Sequence, residues 1–287
     1  MEIIRTTVQL VEYISKVKER GLRIGLVPTM GALHDGHLSL VERSVADNDI
    51  TVVSVFVNPT QFNNPADLAT YPRDEQRDIT LLAGAGASAV YLPTVEEVYP
   101  EGTSAAAGYK YDLGTAAEVM EGKMRPGHFQ GVAQIVSRLF RLTRADVAYF
   151  GEKDFQQIAV IRNMIASEGI DIRIVACPIK RADDGLALSS RNALLTDDQR
   201  RRAPIIYRTL QSSVEYSMTH SVRETHHYVV SRLNDVEEME VEYFEIVDGR
   251  TLLPVDDWRE SRWIVGCITV YNGKVRLIDN IAYRKEN

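Results

Sequence analysis

The chain has 287 residues, 45% of them hydrophobic and 25% charged, and carries a formal net charge of -7. That length predicts two domains of unequal size, and the balance is that of a soluble globular protein rather than a general nucleic-acid binder, which needs a basic face. An acidic chain still binds an anion where Lys, Arg and His gather in one cleft, so the placement of its 33 basic residues matters more than their number.

The opening MEIIRTTVQL lacks a basic stretch followed by a long apolar core, and no apolar run approaches the roughly 18 residues that span a bilayer. Cys177 and Cys267 each lie in an apolar, strand-like run and read as small buried hydrophobes. They offer neither a disulfide framework nor zinc spacing, so the expectation is a soluble protein of the reducing cytoplasm.

In chain order, residues 8–20 read as a helix stopped by Gly21, and 23–27 as a buried strand broken by Pro28. A helix over 38–46 precedes a second buried strand over 50–57, which Asn58-Pro59 ends. A polar helix over 73–83 and a short strand over 89–92 follow. Residues 93–127 are rich in Gly, Ala and Tyr without clear periodicity and read as an inserted excursion. Positions 132, 135, 136, 139 and 140 form the apolar stripe of a helix over 132–142. A strand over 147–150, a helix over 155–168 closed by Gly169 and a strand over 172–176 complete an alternation typical of a parallel α/β sheet. From about residue 180 the alternation stops. A polar loop leads to a basic helix from near Asp197, a helix over 222–233, and strands over 241–247 and 263–270. Asn272-Gly273 turns the last of these into a hairpin with 274–278. The expected division is a parallel-sheet domain over 1–179 and a smaller α+β domain over 180–287.

Four fragments carry chemistry. PTMGALHDGH (28–37) follows a buried strand and opens a helix, at the carboxyl edge where α/β sheets bind ligands. His34 and His37 beside free helix N–H groups suit a phosphate, with Gly31 and Gly36 permitting close backbone approach. A turn capped by Asp35 with two solvated histidines is the plain alternative, and a metal pair is another, although no further ligands stand nearby. FVNPTQF (56–62) offers the neutral amides of Asn58 and Gln61 for a small polar substrate, or else an ordinary Asn-Pro turn. GEKDFQQ (151–157) offers Lys153 as a point charge and Asp154 as either a ribose acceptor or a helix N-cap. LALSSRN (186–192) offers two hydroxyls and Arg191 on a loop whose Asp183-Asp184-Gly185 turn suits a mobile flap; a solvated loop is the alternative. Arg125 in KMRPGHFQG is a similar but isolated cation, His128 beside it is ambiguous, and His220, His226 and His227 read as surface residues. There is no P-loop, no G-x-S-x-G elbow and no G-x-G-x-x-G helix opening.

Taken in this order, and together with VRLIDN (275–280), the fragments resemble the pantothenate synthetase (pantoate–β-alanine ligase) family over residues 23–280. PTMGALHDGH resembles its form of the HIGH motif of nucleotidylyl transferases, and LSSRN stands where relatives carry a KMSKS-type loop. Leu188 in place of Met and Gly127 in place of Thr are departures from the usual pattern. The resemblance implies a Rossmann-like domain that binds ATP and pantoate, with the smaller domain closing over the nucleotide, usually in a homodimer. It implies that His34, His37, Lys153, Ser189, Ser190 and Arg191 meet the ATP phosphates. Of these, His34, His37, Lys153 and Arg191 would be catalytic. Gly151 and Asp154 would meet the ribose, while Met30 and Gly36 would lie near the nucleotide. Gln61 and Gln157 would hold pantoate, with Asn58 and Arg125 towards the pantoate and β-alanine end. Mg²⁺ would arrive with ATP, and no protein ligand for it is assigned. The competing readings are a simple nucleotidylyl transferase using the same His pair and an ATP-sensing protein without turnover.

Overall fold

The computed structural model describes residues 1–106 and 108–285. Strand β1 (Glu2–Ile4) leads into helix α1 (Thr7–Glu19), which starts at a capping box. Thr6 accepts from the Gln9 backbone, and the Gln9 side chain accepts from the Thr6 N–H. β2 (Ile24–Thr29), α2 (Asp35–Asp47) and β3 (Ile50–Val55) come next, then α3 (Pro65–Thr70), α4 (Glu75–Gly84) and β4 (Ala89–Tyr91). The expected excursion contains three short helices, α5 (Val95–Val98), α6 (Thr103–Ala106) and α7 (Met120–Met124); Ala107 within it lies outside the described residues. It is no mere appendage, because Leu113, Ala116 and Met120 are buried in the main core. α8 (His128–Thr143), β5 (Val147–Gly151), α9 (Phe155–Glu168) and β6 (Arg173–Cys177) complete the parallel part.

The six strands form one parallel sheet in the order β1-β4-β3-β2-β5-β6. β2 and β3 are buried on both faces: Leu26 and Val52 enter one core, Val27 and Val53 another. The chain builds outward on one side of β2 as far as β4, then crosses to its other side at β5. That reversal opens a crevice at the carboxyl ends of β2 and β5, the place where open α/β sheets take ligands. Pro28 does not break β2 as the sequence suggests. The ladder to β5 ends at Leu26, while the ladder to β3 runs on through Pro28 and Thr29, so Pro28 stands where the two strands part.

Beyond β6, helices α10 (Asp197–Arg202), α11 (Ile205–Tyr216) and α12 (Val222–Asn234) precede an antiparallel sheet of β7 (Met239–Asp248), β8 (Ile264–Asn272) and β9 (Val275–Arg284). The single basic helix expected from Asp197 is thus two helices, parted at Pro204, which has no N–H to continue the first. β9 extends well beyond its expected end at 278 and takes Asp279 and Asn280 into the sheet. Val247, Val265 and Cys267 join the core of the larger sheet. Among the described residues no helix is long and apolar enough to cross a membrane.

Candidate active site

The crevice is lined first by the segment between β2 and α2. His34, rather than Asp35, caps α2: its Nδ1 accepts from the Gly36 N–H at 3.1 Å, and the His37 Nδ1 accepts from the His34 N–H at 3.4 Å. Both Nδ1 atoms are acceptors, so the hydrogen-bond network assigns neutral rings with the proton on Nε2. The ring centroids are 4.1 Å apart. Burial, with Lys153 reinforcing it, pushes His34 down to about 4. Burial, His34 and Lys153 hold His37 well below its ordinary value. At neutral pH this loop therefore presents two uncharged N–H donors. Its backbone is unusual, with Gly31 at φ +80 and Ala32 at φ +49. The buried Asp78 holds it there, accepting from the N–H groups of Ala32 at 2.9 Å and Leu33 at 2.8 Å.

The chain leaving β3 reaches Asn58, which caps a one-turn helix at Pro59–Gln61. Asn58 is buried; its Nδ2 donates to Gln61 Oε1 and to the Gly131 carbonyl, both at 3.0 Å, and its Oδ1 accepts from Tyr99 at 2.8 Å. Asn58 lines the cleft, yet its amide is committed to the protein, and what it does is orient Gln61. The turn seats on α8 because residue 131 is glycine: a Cβ there would fall 2.3 Å from the Thr60 carbonyl oxygen. Across the cleft Gln157 makes no side-chain hydrogen bond among the described residues. Its neighbour Gln156 is buried and donates to the carbonyls of Ala116 and Val119 at 2.8 and 2.7 Å.

Two adjoining chambers result, and Asp154 and Gln157 line both. One has apolar walls including Phe56, Val132 and Val136, with Met30, His37, Asn58, Gln61, Gly151 and the hydroxyl-bearing Ser54 among its lining. The other is basic: Arg125, Lys153, Arg191 and Arg276 line it with Ser189 and Glu121. Lys153 Nζ lies 3.8 Å from the Asp154 carboxylate. Asp154 stands at the N-cap of α9 but makes no side-chain capping bond. Arg191 pairs with Asp67 at 3.0 Å, the Ser189 Oγ accepts from the Arg191 N–H at 3.3 Å, and Ser190 donates to the Ala32 carbonyl at 3.1 Å. The segment that reads as a flap is thereby tied directly to the His34 loop.

Several residues that sequence reasoning did not single out organise this chamber. Glu121 accepts from Arg276 at 2.6 Å and from Tyr243 at 3.0 Å, and stands 3.4 Å from Arg125. Burial pushes the Glu121 carboxyl up, but Arg276 and Arg125 outweigh it and hold it below its ordinary value. Burial lowers Arg125; Glu121 opposes that shift, while Arg191 and Arg276 add to it, so three guanidiniums sense one another here. His128, ambiguous from sequence, is buried: its Nδ1 donates to the Gln61 carbonyl at 2.8 Å, leaving Nε2 facing Arg125 at 3.5 Å, and burial takes its pKa to about 4. His226 and His227 are exposed on α12, and His220 stacks on Tyr216. Both cysteines are buried and free. Among the described residues no group of three or more His, Cys, Asp or Glu gathers to hold a metal ion.

The family model for pantoate-beta-alanine ligase matches residues 2–282. The chain belongs to that family. It is 54% identical over 283 residues to the pantothenate synthetase of Porphyromonas gingivalis, covering 99% of each chain, and 52% identical over 285 residues to that of Bacteroides fragilis, covering 99% and 100%. The fold superposes on the crystal structure of pantothenate synthetase from Thermus thermophilus with a TM-score of 0.91 at 42% identity, over 99% of this chain and 100% of that one. A pantoate-beta-alanine ligase from Francisella tularensis, complexed with beta-gamma ATP and beta-alanine, matches with a TM-score of 0.81 at 33% identity, over 100% and 99%. Family membership makes this chain a ligase of the acid–amino-acid class, one that joins pantoate to β-alanine.

Proposed function

We propose that the enzyme uses ATP to convert pantoate to pantoyl-adenylate, then transfers the pantoyl group to β-alanine with release of AMP. The observation that carries this reading is the pair of chambers meeting at Asp154 and Gln157, one apolar with amides and one basic. A small branched hydroxy acid suits the first, where Gln61 and Gln157 can bond its hydroxyl and carboxylate without adding charge. A triphosphate suits the second, held by Lys153, Ser189, Ser190 and Arg191, with Gly151 and Asp154 on the ribose and Met30 and Gly36 beside the nucleotide. Mg²⁺ would arrive with the nucleotide, its chief ligands the phosphate oxygens. In the same reading, residues 1–179 bind ATP and pantoate, 180–287 close over them, and the working unit is a cytoplasmic homodimer.

The pantoate carboxylate is already ionised at neutral pH, so it attacks the α-phosphorus without a general base, and the α–β phosphoanhydride bond breaks to release pyrophosphate. The protein supplies alignment and charge stabilisation. His34 and His37 donate Nε2–H as neutral groups, while Lys153 and Arg191 bring the positive charge. In the second step the β-alanine amine attacks the acyl carbonyl, the acyl–phosphate bond breaks, and AMP leaves. Arg125, on the wall of the basic chamber, would meet the β-alanine carboxylate. No covalent enzyme intermediate is required.

Exchange of labelled pyrophosphate into ATP, followed without β-alanine, tests the reading. Exchange that depends on pantoate, with AMP released once β-alanine is added, is the expected result. Absence of exchange by a folded, ATP-binding protein would refute it and favour a nucleotide sensor. His34→Ala and Lys153→Ala are expected to lower the exchange rate by about 10²–10³ while leaving the circular dichroism spectrum unchanged.

A further inference from the structure

Asp279 and Asn280, the last residues of VRLIDN (275–280), take no part in the steps above, yet they address two of the segments proposed to meet the phosphates, 151–154 and 180–192. Asp279 is buried and accepts from the two terminal nitrogens of Arg181 at 2.6 and 2.8 Å. Arg181 stands at the root of the hairpin that delivers Ser189. Its backbone pairs with Ala187, its guanidinium also donates to the Gly185 carbonyl at 3.1 Å, and it lies 3.6 Å from the centroid of the Tyr207 ring. Asn280, also buried, donates through Nδ2 to the carbonyls of Glu152 at 2.8 Å and Lys153 at 3.2 Å. The one-turn helix bearing Lys153 has no side-chain cap of its own, at Gly151 before it or at Asp154 where α9 begins. The Asn280 amide is thus a clasp applied to that turn from the small sheet. Its own N–H donates to Asp279 Oδ1 at 2.8 Å, which joins the two clasps into one unit.

We propose that Asn280 is a positioning residue for adenylate formation: by fixing the carbonyls of Glu152 and Lys153 it sets where the Lys153 ammonium stands, in register with the flap that Asp279 sets through Arg181. The inference rests on the adenylate reading given above. Two hydrogen bonds to backbone fix a direction as well as a distance. A shift of about 1 Å in a charge that must meet a developing anion is enough to cost about 100-fold in rate.

The test measures pantoate-dependent pyrophosphate exchange in Asn280→Ala and in Asn280→Asp, the second keeping the shape but removing the donors. Each is made in the wild-type protein and in Lys153→Ala. In the wild-type background both are expected to lower kcat by roughly 10- to 100-fold, with KM for pantoate unchanged because Gln61 and Gln157 are untouched. In the Lys153→Ala background neither is expected to lower the rate further, since the group being positioned is gone. Wild-type kcat in either variant would overturn the proposal, and so would a loss that multiplies in full with that of Lys153→Ala, the mark of general disruption. If the wild-type enzyme itself shows no pantoate-dependent exchange, the adenylate reading fails, and Asn280 loses the role proposed for it.

Discussion

Two of the segments proposed to face the ATP phosphates are held in different ways. The loop over 30–37 is fixed by backbone donors on one buried carboxylate, Asp78, and by neutral imidazoles that accept from its own N–H groups. The segment over 180–192 closes its own hairpin with backbone bonds such as Leu188 to Lys180. Its ties to the rest of the chain, however, include ion pairs, Arg181 with Asp279 and Arg191 with Asp67, and its turn is braced by Arg200 on Asp184. Backbone hydrogen bonds impose direction, so they suit a surface whose shape precedes any ligand. An ion pair is less directional and can exchange partners. The side chains of Arg191 and Asp67 are 28% and 36% exposed, and a polyanion can compete for that guanidinium.

The contrast can be broken from either side. The largest effect is expected from Asp279→Ala, which leaves the half-buried Arg181 without its counter-charge and should cost about 3 kcal/mol in urea unfolding. An unchanged midpoint would remove this pair as the anchor of the second segment. Asp78→Ala strips the acceptor from two N–H groups of the first loop and should cost about 1–3 kcal/mol by thermal unfolding, part of it restored in Asp78→Asn. A cost above that of Asp279→Ala would invert the ranking of the two segments.

Acid sharpens the difference. His34 sits at about 4 when folded, against 6.5 ordinarily, and His37 is lowered too. The unfolded chain therefore binds more protons as pH falls between those values, so the stability present above 6.5 is lost on the way down to about 4. His34→Gln should make that decline shallower in pH-dependent melting; an unchanged slope would mean that the ring already titrates at its ordinary value. The smallest effect is expected from Asp67→Asn, within about 1 kcal/mol in stability and reduced further by salt. Calorimetry should find ATP bound at least as tightly by this variant, because a competitor for Arg191 has been removed.

The central strands and the loop over 30–37 were legible because their signals are local: apolar runs of strand length, then glycine and histidine at a helix start. Three kinds of feature were not. β1 is three residues at a sheet edge with Ile3 exposed, and α3 is a single short helix behind Asn64-Pro65, too little pattern for either to register. The cap of α2 reads from sequence as Asp35, since an imidazole accepting through Nδ1 is a rarer cap than a carboxylate. Pairings such as Glu121 with Arg276 and Arg181 with Asp279 join residues about a hundred or more positions apart; with 33 cations and 40 anions in the chain, spacing alone cannot match them.

Gln156 and Gln157 are adjacent in sequence, but the first is locked onto the carbonyls of Ala116 and Val119 and lines only the basic chamber, while the second lines both. A helix turns about 100° per residue, so which glutamine reaches the apolar chamber depends on where α9 begins. Lengthening the turn over 151–154 by one residue would rotate the pair, burying one amide where no acceptor waits and aiming the other away from its carbonyls. Loop length here is therefore a heritable constraint in its own right. Homologues should keep the number of residues in this turn as strictly as they keep Lys153 itself, and insertions should be found instead in the segment over 93–119.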